Sequence, residues 1–299
     1  MARSNSWFAV IAVAAAVLAV FAWPTPALTL HHVHGLVFSA DGESLMIPSH
    51  DGLALYRDGR WSKASGPEHD YMGFARSRDA LYSSGHPAPG SGLPNPFGLL
   101  RSTDGGKTWE RLGLEGEADF HLLAVSYETG AVYVSNPAPN SRMPAPGIYW
   151  TADRGTTWRR AAAEGLAGRL FALAVHPRKP EIVAVGTERG LFLTRDHGGR
   201  FERIGGATPV TAVAFDLAGE HLWLGSMDRA ATLARLRTDN SAAGPLSLPP
   251  LAPQDAVAYI TQNPADPDHW AIATFTRDVY LTTDAGKNWQ QLVRGGETR

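Results

Sequence analysis

The sequence predicts an all-β fold, a six-bladed β-propeller with Asp-box turns, and three observations carry that prediction. A turn motif of eight residues recurs along the chain. The segments between turns are short and β-rich. The unit repeats about every 40–50 residues, the length of one propeller blade. The motif reads STDGGKTW at Ser102 to Trp109, TADRGTTW at Thr151 to Trp158 and TTDAGKNW at Thr282 to Trp289. A weaker copy, TRDHGGRF, occupies Thr194 to Phe201, and a shortened one, DGRW, occupies Asp58 to Trp61. In this pattern the Asp carboxylate accepts backbone N–H groups across a tight turn, and the Gly supplies a positive φ. The aromatic anchors the turn between neighbouring sheets. Asp104, Asp153, Asp196 and Asp284 are therefore read as structural; the further oxygen ligands of a calcium loop are missing.

The spacing of the motifs counts the blades. Asp104 to Asp153 and Asp153 to Asp196 are each one unit, while Asp196 to Asp284 holds two, one of them without a box. Blade 1 is expected to use His34–Ser39, Ser44–Pro48 and Leu53–Arg57. Blade 2 uses Tyr71–Ala75, Leu81–Ser84 and Gly98–Arg101, and blade 3 uses Leu122–Tyr127, Ala131–Ser135 and Gly147–Trp150. Blade 4 uses Leu170–His176, Ile182–Gly186 and Gly190–Thr194. Blade 5 uses Val210–Asp216, His221–Gly225 and Ala231–Arg237, and blade 6 uses Ala256–Gln262, Trp270–Thr274 and Asp278–Thr282. Each stretch is rich in Val, Ile, Leu, Tyr or Trp and is bounded by Gly, Pro, Asp or Ser. The Pro-rich segment Asn240–Gln254 is expected to be a connector between blades 5 and 6, because proline cannot serve a central strand.

Residues 1–27 are set apart from the propeller, which is assigned to 28–299. Arg3 precedes an uncharged run from Trp7 to Trp23, and Thr25 and Ala27 suit the −3 and −1 positions of a cleavage site. This is the pattern of a signal peptide or of an uncleaved N-terminal membrane anchor, since the run lies at the lower limit for a span. An extracytoplasmic domain, periplasmic or secreted, follows, with membrane attachment only through that segment. The 299-residue chain has a formal net charge of −2, which gives no field for nucleic acid, and no cysteine, which excludes disulfides, thiolate ligands and thiol nucleophiles.

In a four-stranded blade a–b–c–d the Asp boxes occupy c–d turns on one face. The b–c loops and the connectors into strand a occupy the other, the top face. His34, His69 and His121 precede strand a of blades 1, 2 and 3, and His50 and His86 follow strand b of blades 1 and 2. All five are expected on the top face of three adjacent blades. Neutral imidazole is the commonest metal ligand, so the cluster is read as a transition-metal site for copper or zinc. Asp51, Asp70 and Asp119 neighbour these histidines and suit the orienting of ring N–H groups. Met72 and Met143 are possible soft ligands. His31 and His32 lie in the lead-in segment near the cluster. His176, His197, His221 and His269 do not converge on it and are read as structural or surface residues.

The other half of the face is basic. Arg169 precedes strand a of blade 4, and Arg189, Arg229 and Arg277 follow strand b of blades 4, 5 and 6, positions suited to contact an anion or a substrate. Arg189, Arg229 and Arg277 each have an adjacent acid, which points to solvated ion pairs. The loops His86–Gly98 and Asn136–Gly147 are stiffened by proline and are expected to form a rim over the histidine half.

Through HDYMGF, YSSGHPAPGS and the Asp boxes, residues 34–293 resemble exported bacterial Asp-box (BNR) proteins commonly labelled glycosyl hydrolases, relatives of sialidase and sortilin-type propellers. That resemblance implies the propeller fold and two further readings beside metal binding. One is a glycoside hydrolase acting on a glycan, for which Asp51 and Asp70 are the only carboxylate pair to nominate as catalytic. The Phe/Tyr-Arg-Ile-Pro motif of sialidases is absent, and the acids beside Arg189, Arg229 and Arg277 set them apart from the sialidase arginine triad. The other is a non-catalytic module that grips a peptide or protein, like the propellers of sortilin-type receptors or photosystem assembly factors. A monomer is expected.

Overall fold

A computed structural model describes residues 27–239 and 243–299; the leader expected at 1–27 falls outside it except for Ala27. The described chain is all strand, turn and loop, and holds no helix long and apolar enough to cross a membrane. Six antiparallel sheets follow one another in sequence order. Blade 1 comprises β1 (Val37–Phe38), β2 (Leu45–Ser49), β3 (Gly52–Arg57) and β4 (Arg60–Lys63). Blade 2 comprises β5 (Asp70–Arg76), β6 (Leu81–His86), β7 (Leu100–Ser102) and β8 (Glu110–Arg111). Blade 3 comprises β9 (Leu123–Val125), β10 (Val132–Asn136), β11 (Gly147–Thr151) and β12 (Arg159–Arg160). Blade 4 comprises β13 (Leu170–Val175), β14 (Val183–Thr187), β15 (Gly190–Thr194) and β16 (Glu202–Ile204). Blade 5 comprises β17 (Val210–Phe215), β18 (His221–Met227), β19 (Ala231–Arg237) and β20 (Ala243–Leu246). Blade 6 adds a fifth strand: β21 (Val257–Gln262), β22 (Trp270–Thr274), β23 (Val279–Thr282), β24 (Gln290–Arg294) and β25 (Glu297–Thr298).

Two expectations need correcting. The segment read as a connector contains β20, which pairs with β19 from Leu246 to Ala243. Pro245 is tolerated because β20 is the outer edge strand, where a missing N–H leaves no ladder bond unmade. The inner strand of blade 1 is also shorter than His34–Ser39. At Gly35 the backbone leaves its own blade and bridges Phe74 of blade 2, so close that a Cβ on Gly35 would lie 2.6 Å from the Phe74 Cβ.

Apolar packing follows the ring. Six buried clusters each lie between consecutive blades: Val37, Met46 and Leu53 against Tyr71, Phe74 and Leu81 between blades 1 and 2, and so on round to Trp223 and Trp270 between blades 5 and 6. The sixth closes the circle, with Leu36, Phe38 and Ile47 of blade 1 against Ala271, Val279 and Val293 of blade 6. Leu28–Leu30 seals this seam. Thr29 bridges Glu297, the Leu30 N–H donates to the Gly296 carbonyl (2.7 Å), and the Thr298 N–H donates to the Leu28 carbonyl (3.1 Å).

The box turns behave as their residues require. Asp104 Oδ1 accepts the Thr108 N–H (3.0 Å) and the Ser102 hydroxyl (2.8 Å), and its Oδ2 accepts the Thr108 hydroxyl (2.6 Å). The same contacts recur at Asp153, with Thr151 and Thr157, and at Asp284, with Thr282 and Asn288. These donors, led by the side chain of Thr108, hold the Asp104 carboxyl down to about 2. Blade 1 keeps only a two-residue Asp58-Gly59 hairpin with both φ positive, yet still buries Trp61.

Candidate metal centre

The inner strands line a central channel of about 200 Å³, and His34 and His121 sit on its wall. Around them the connectors of blades 1–3 gather a group of imidazoles and two carboxylates. His34 Nε2 and His50 Nε2 are 3.4 Å apart. His32 completes a set: one ring nitrogen from each of His32, His34 and His50 lies within 4.8 Å of the others, so the three can hold a metal ion. His32 stands edge-on to His50 with ring centroids 4.5 Å apart.

Asp70, the first residue of β5, joins this set. Its Oδ2 is 3.0 Å from His50 Nδ1, and its Oδ1 is 3.8 Å from His34 Nε2. A carboxylate on Nδ1 puts the His50 proton there and leaves Nε2 as the lone-pair nitrogen that faces His34. Burial, reinforced by the neighbouring His50, His32 and His121, lowers the His34 pKa to about 4, so the ring is neutral at pH 7. Burial raises the Asp70 carboxyl, against the pull of His50 and His86 and with a push from Asp119.

The second carboxylate serves the other two histidines. Asp119 Oδ2 lies 2.7 Å from His121 Nε2 and 3.1 Å from His86 Nε2. Burial works to raise the Asp119 carboxyl, but the bonds and charges of His121 and His86 outweigh it and the net shift is downward. The reciprocal hydrogen bond raises His121. Asp119 is held through its neighbour: the Phe120 N–H donates to Ser84 Oγ (3.0 Å), and Gly73 passes so close below that a Cβ there would lie 1.9 Å from the Phe120 carbonyl oxygen.

Of the five histidines expected to converge, His34, His50, His86 and His121 gather around Asp70 and Asp119, whereas His69 stands apart. Its Nδ1 accepts the Ala88 N–H (3.0 Å), and its ring packs on Phe97. A neutral ring with Nδ1 so engaged carries its hydrogen on Nε2 and presents no free lone pair. His32 takes the third position in its stead. The signal lay in the HHVH run: in extended chain, residues i and i+2 project to the same side. Met143 and Met72 are both buried, Met143 in the apolar cluster between blades 2 and 3. Asp51 pairs with His31 (3.5 Å), so Asp51 and Asp70 are each engaged by a histidine. The remaining histidines have other partners: His176 with the Gly219 carbonyl, His197 with Tyr133, His221 with Asp216 and His269 with Asn263.

The basic half is built differently. Among the described residues, none of Arg169, Arg189, Arg229 and Arg277 forms a carboxylate ion pair within 4 Å, contrary to the adjacent-acid expectation. Arg169 lies over the Phe171 ring at 4.8 Å, while Arg189 and Arg229 are exposed. Arg277 reaches across the seam and donates from Nη1 to the His31 carbonyl (3.0 Å), which pins the lead-in segment bearing His32 and His34.

Residues 100–111 match the BNR/Asp-box repeat family, and no curated protein matches the chain. Solved structures do. A GH74 xyloglucanase from Xanthomonas campestris is 18% identical with a TM-score of 0.56, over 90% of this chain and 47% of its own. A GH74 enzyme from Niastella koreensis is 15% identical with a TM-score of 0.59, over 89% and 46%. YCF48 bound to D1 peptide is 18% identical with a TM-score of 0.51, over 92% and 86%. The chain thus spans about half the length of the GH74 structures it matches. Repeat, topology and structural likeness together define an Asp-box β-propeller, a fold used both by glycoside hydrolases and by a peptide-bound protein.

Proposed function

We propose that this is an extracytoplasmic propeller whose top face binds a transition-metal ion, copper or zinc, through His32, His34 and His50. The observation that carries the reading is the convergence of three imidazole nitrogens, each within 4.8 Å of the others. Two ligands about 2.05 Å from a tetrahedral ion stand about 3.3 Å apart, and His34 Nε2 and His50 Nε2 are separated by 3.4 Å. Asp70 on the far nitrogen of His50 supplies the carboxylate–histidine arrangement that raises ligand basicity. The ion would sit beside a channel of about 200 Å³, where a small ligand has room to reach it.

The test is the metal content of full-length protein loaded with copper or zinc and then dialysed. Bound metal that falls in a His34→Asn/His50→Asn variant supports the reading; no retained metal in either protein overturns it. Cell fractionation and N-terminal sequencing test the export assignment: a cytoplasmic protein starting at Met1 sinks it.

A second reading, binding of a peptide or protein by the same face, is favoured by one observation, the match to peptide-bound YCF48 over most of both chains. Peptide binding that survives complete metal removal would favour it over the first. Glycoside hydrolysis rests on the fold alone and is tested by release of sugar from a glycan panel.

A further inference from the structure

We infer that the central channel binds a small carboxylic acid with an apolar aryl or alkyl body, the body inside the channel and the carboxylate on Arg169 at its upper mouth. The inference gives the channel a ligand of its own and does not depend on the ion proposed beside it. Its starting point is the wall. Leu123, Val213 and Ile260 line the channel together with the rings of Phe74, Phe171 and Phe215. Along β21 every residue from Ala258 to Gln262 is only half-buried, and all five line the channel. An apolar cavity of about 150 Å³ takes up a molecule the size of benzene. The channel, at about 200 Å³, has room for one ring or a short alkyl chain with a tether.

The two ends of the channel differ in what they leave unspent. At the lower end Arg76 donates from Nε to the Ser77 carbonyl (3.0 Å), from Nη1 to that of Phe38 (2.7 Å) and from Nη2 to that of Arg78 (3.0 Å), and its charge is met by Asp41 and Asp79. Gln262 accepts the Leu217 N–H (2.7 Å) and donates to the Pro267 carbonyl (2.8 Å). At the upper end Arg169 lies over the ring of the wall residue Phe171 at 4.8 Å, and among the described residues no carboxylate pairs with it within 4 Å. The ring positions the guanidinium without supplying an acceptor oxygen, and a carboxylate can meet its paired N–H donors in bidentate form. On the side of blades 1–3, Asp119 accepts from His121 and His86, and Asp70 is engaged by His50. Those carboxylates repel an anion and leave it the Arg169 side. Within the wall, burial alone pushes the Tyr259 phenol up to about 12, with no hydrogen bond contributing, so its hydroxyl stays protonated and is free to donate to a ligand.

The experiment is a calorimetric titration of chelator-stripped full-length protein with phenylpropionate, hexanoate and benzoate, with phenylpropionamide and acetate as controls. The expected result is saturable one-to-one binding of at least one of the three acids, about tenfold or more tighter than the uncharged amide, and no binding of acetate, which has no body to bury. Arg169→Gln should close the gap between acid and amide. Ala214→Phe, which fills the channel from a half-buried wall position, should abolish binding of the acid. Thermal unfolding checks that both variants fold, and the exposed Arg169 decides the matter alone if Ala214→Phe does not. The inference is overturned if none of the three acids binds saturably, if the amide binds as tightly as the acid, or if Arg169→Gln keeps wild-type affinity. Acid binding that persists in folded Ala214→Phe puts the ligand outside the channel and overturns it too. The protein carries no metal in these titrations, so each outcome is independent of whether the histidine group holds an ion.

Discussion

Blades 1–3 and blades 4–6 present the same architectural positions to the top face, yet the two halves use them for opposite purposes. In the first half the lead-in and b–c residues are imidazoles and carboxylates turned toward one another, buried enough to shift their proton affinities. In the second, Arg189 and Arg229 stand exposed, and Arg169 lies against an aromatic ring. The difference teaches that a shared scaffold fixes where a side chain starts, while burial and neighbours decide whether it becomes part of a site. Arg277 is the informative exception, because it belongs to the second half by position and to the first by contact.

Five outcomes break or sharpen this contrast. The largest is expected from His34→Asn with His50→Asn, which should cost more than about 100-fold in affinity for the proposed metal ion, since changing a mere orienting partner already costs about 10–100-fold; a competition titration reads it. Next comes the pH dependence of the metal-free protein. His34 titrates near 6.5 when unfolded and at about 4 when folded, so between those values the unfolded chain binds the extra proton. Stability from this group is complete above pH 6.5 and is lost as pH falls toward 4, by up to about 3 kcal/mol. The raised groups His121 and Asp70 act in the opposite sense, so the quantity to measure is the difference between wild type and His34→Asn in urea midpoints from pH 7 to 4. A parallel pair of curves would break the assignment.

Asp70→Asn retains the shape of the carboxylate but not its charge, and should weaken binding of the proposed metal ion about 10–100-fold. Arg277→Ala loses the bond to the His31 carbonyl, worth about 1 kcal/mol, and should weaken the ion about fivefold with little change in fold. The smallest effect belongs to Arg189→Ala with Arg229→Ala. Stability should stay within about 0.5 kcal/mol and metal affinity should not move; a loss of affinity would erase the contrast between the halves.

Much of the fold was legible because one local interaction repeats. An Asp that accepts from the residue four positions on, a Gly at positive φ and a buried aromatic spell a c–d turn, and blade order follows from that turn. Less legible was anything decided by the chain on either side. Ala243–Leu246 reads as a linker by composition and becomes an edge strand because β19 offers it an unpaired ladder. His69 has the same sequence position in blade 2 as His34 in blade 1, yet the Ala88 N–H captures its lone pair. That His32 meets His34 and His50 was not legible, because its place depends on how Leu28–Leu30 and Arg277 seat the lead-in segment, a contact spanning nearly the whole chain.

That seam also sets an order of events. His32 and His34 reach His50 and Asp70 through a segment clasped between Gly296 and Arg277 of the last blade. The three-histidine group is therefore finished only when the two ends of the propeller meet. If that group binds metal as proposed, uptake of the ion is a chemical clock for ring closure, and a chain arrested before its sixth blade should be blind to metal at those histidines however well its other blades have folded.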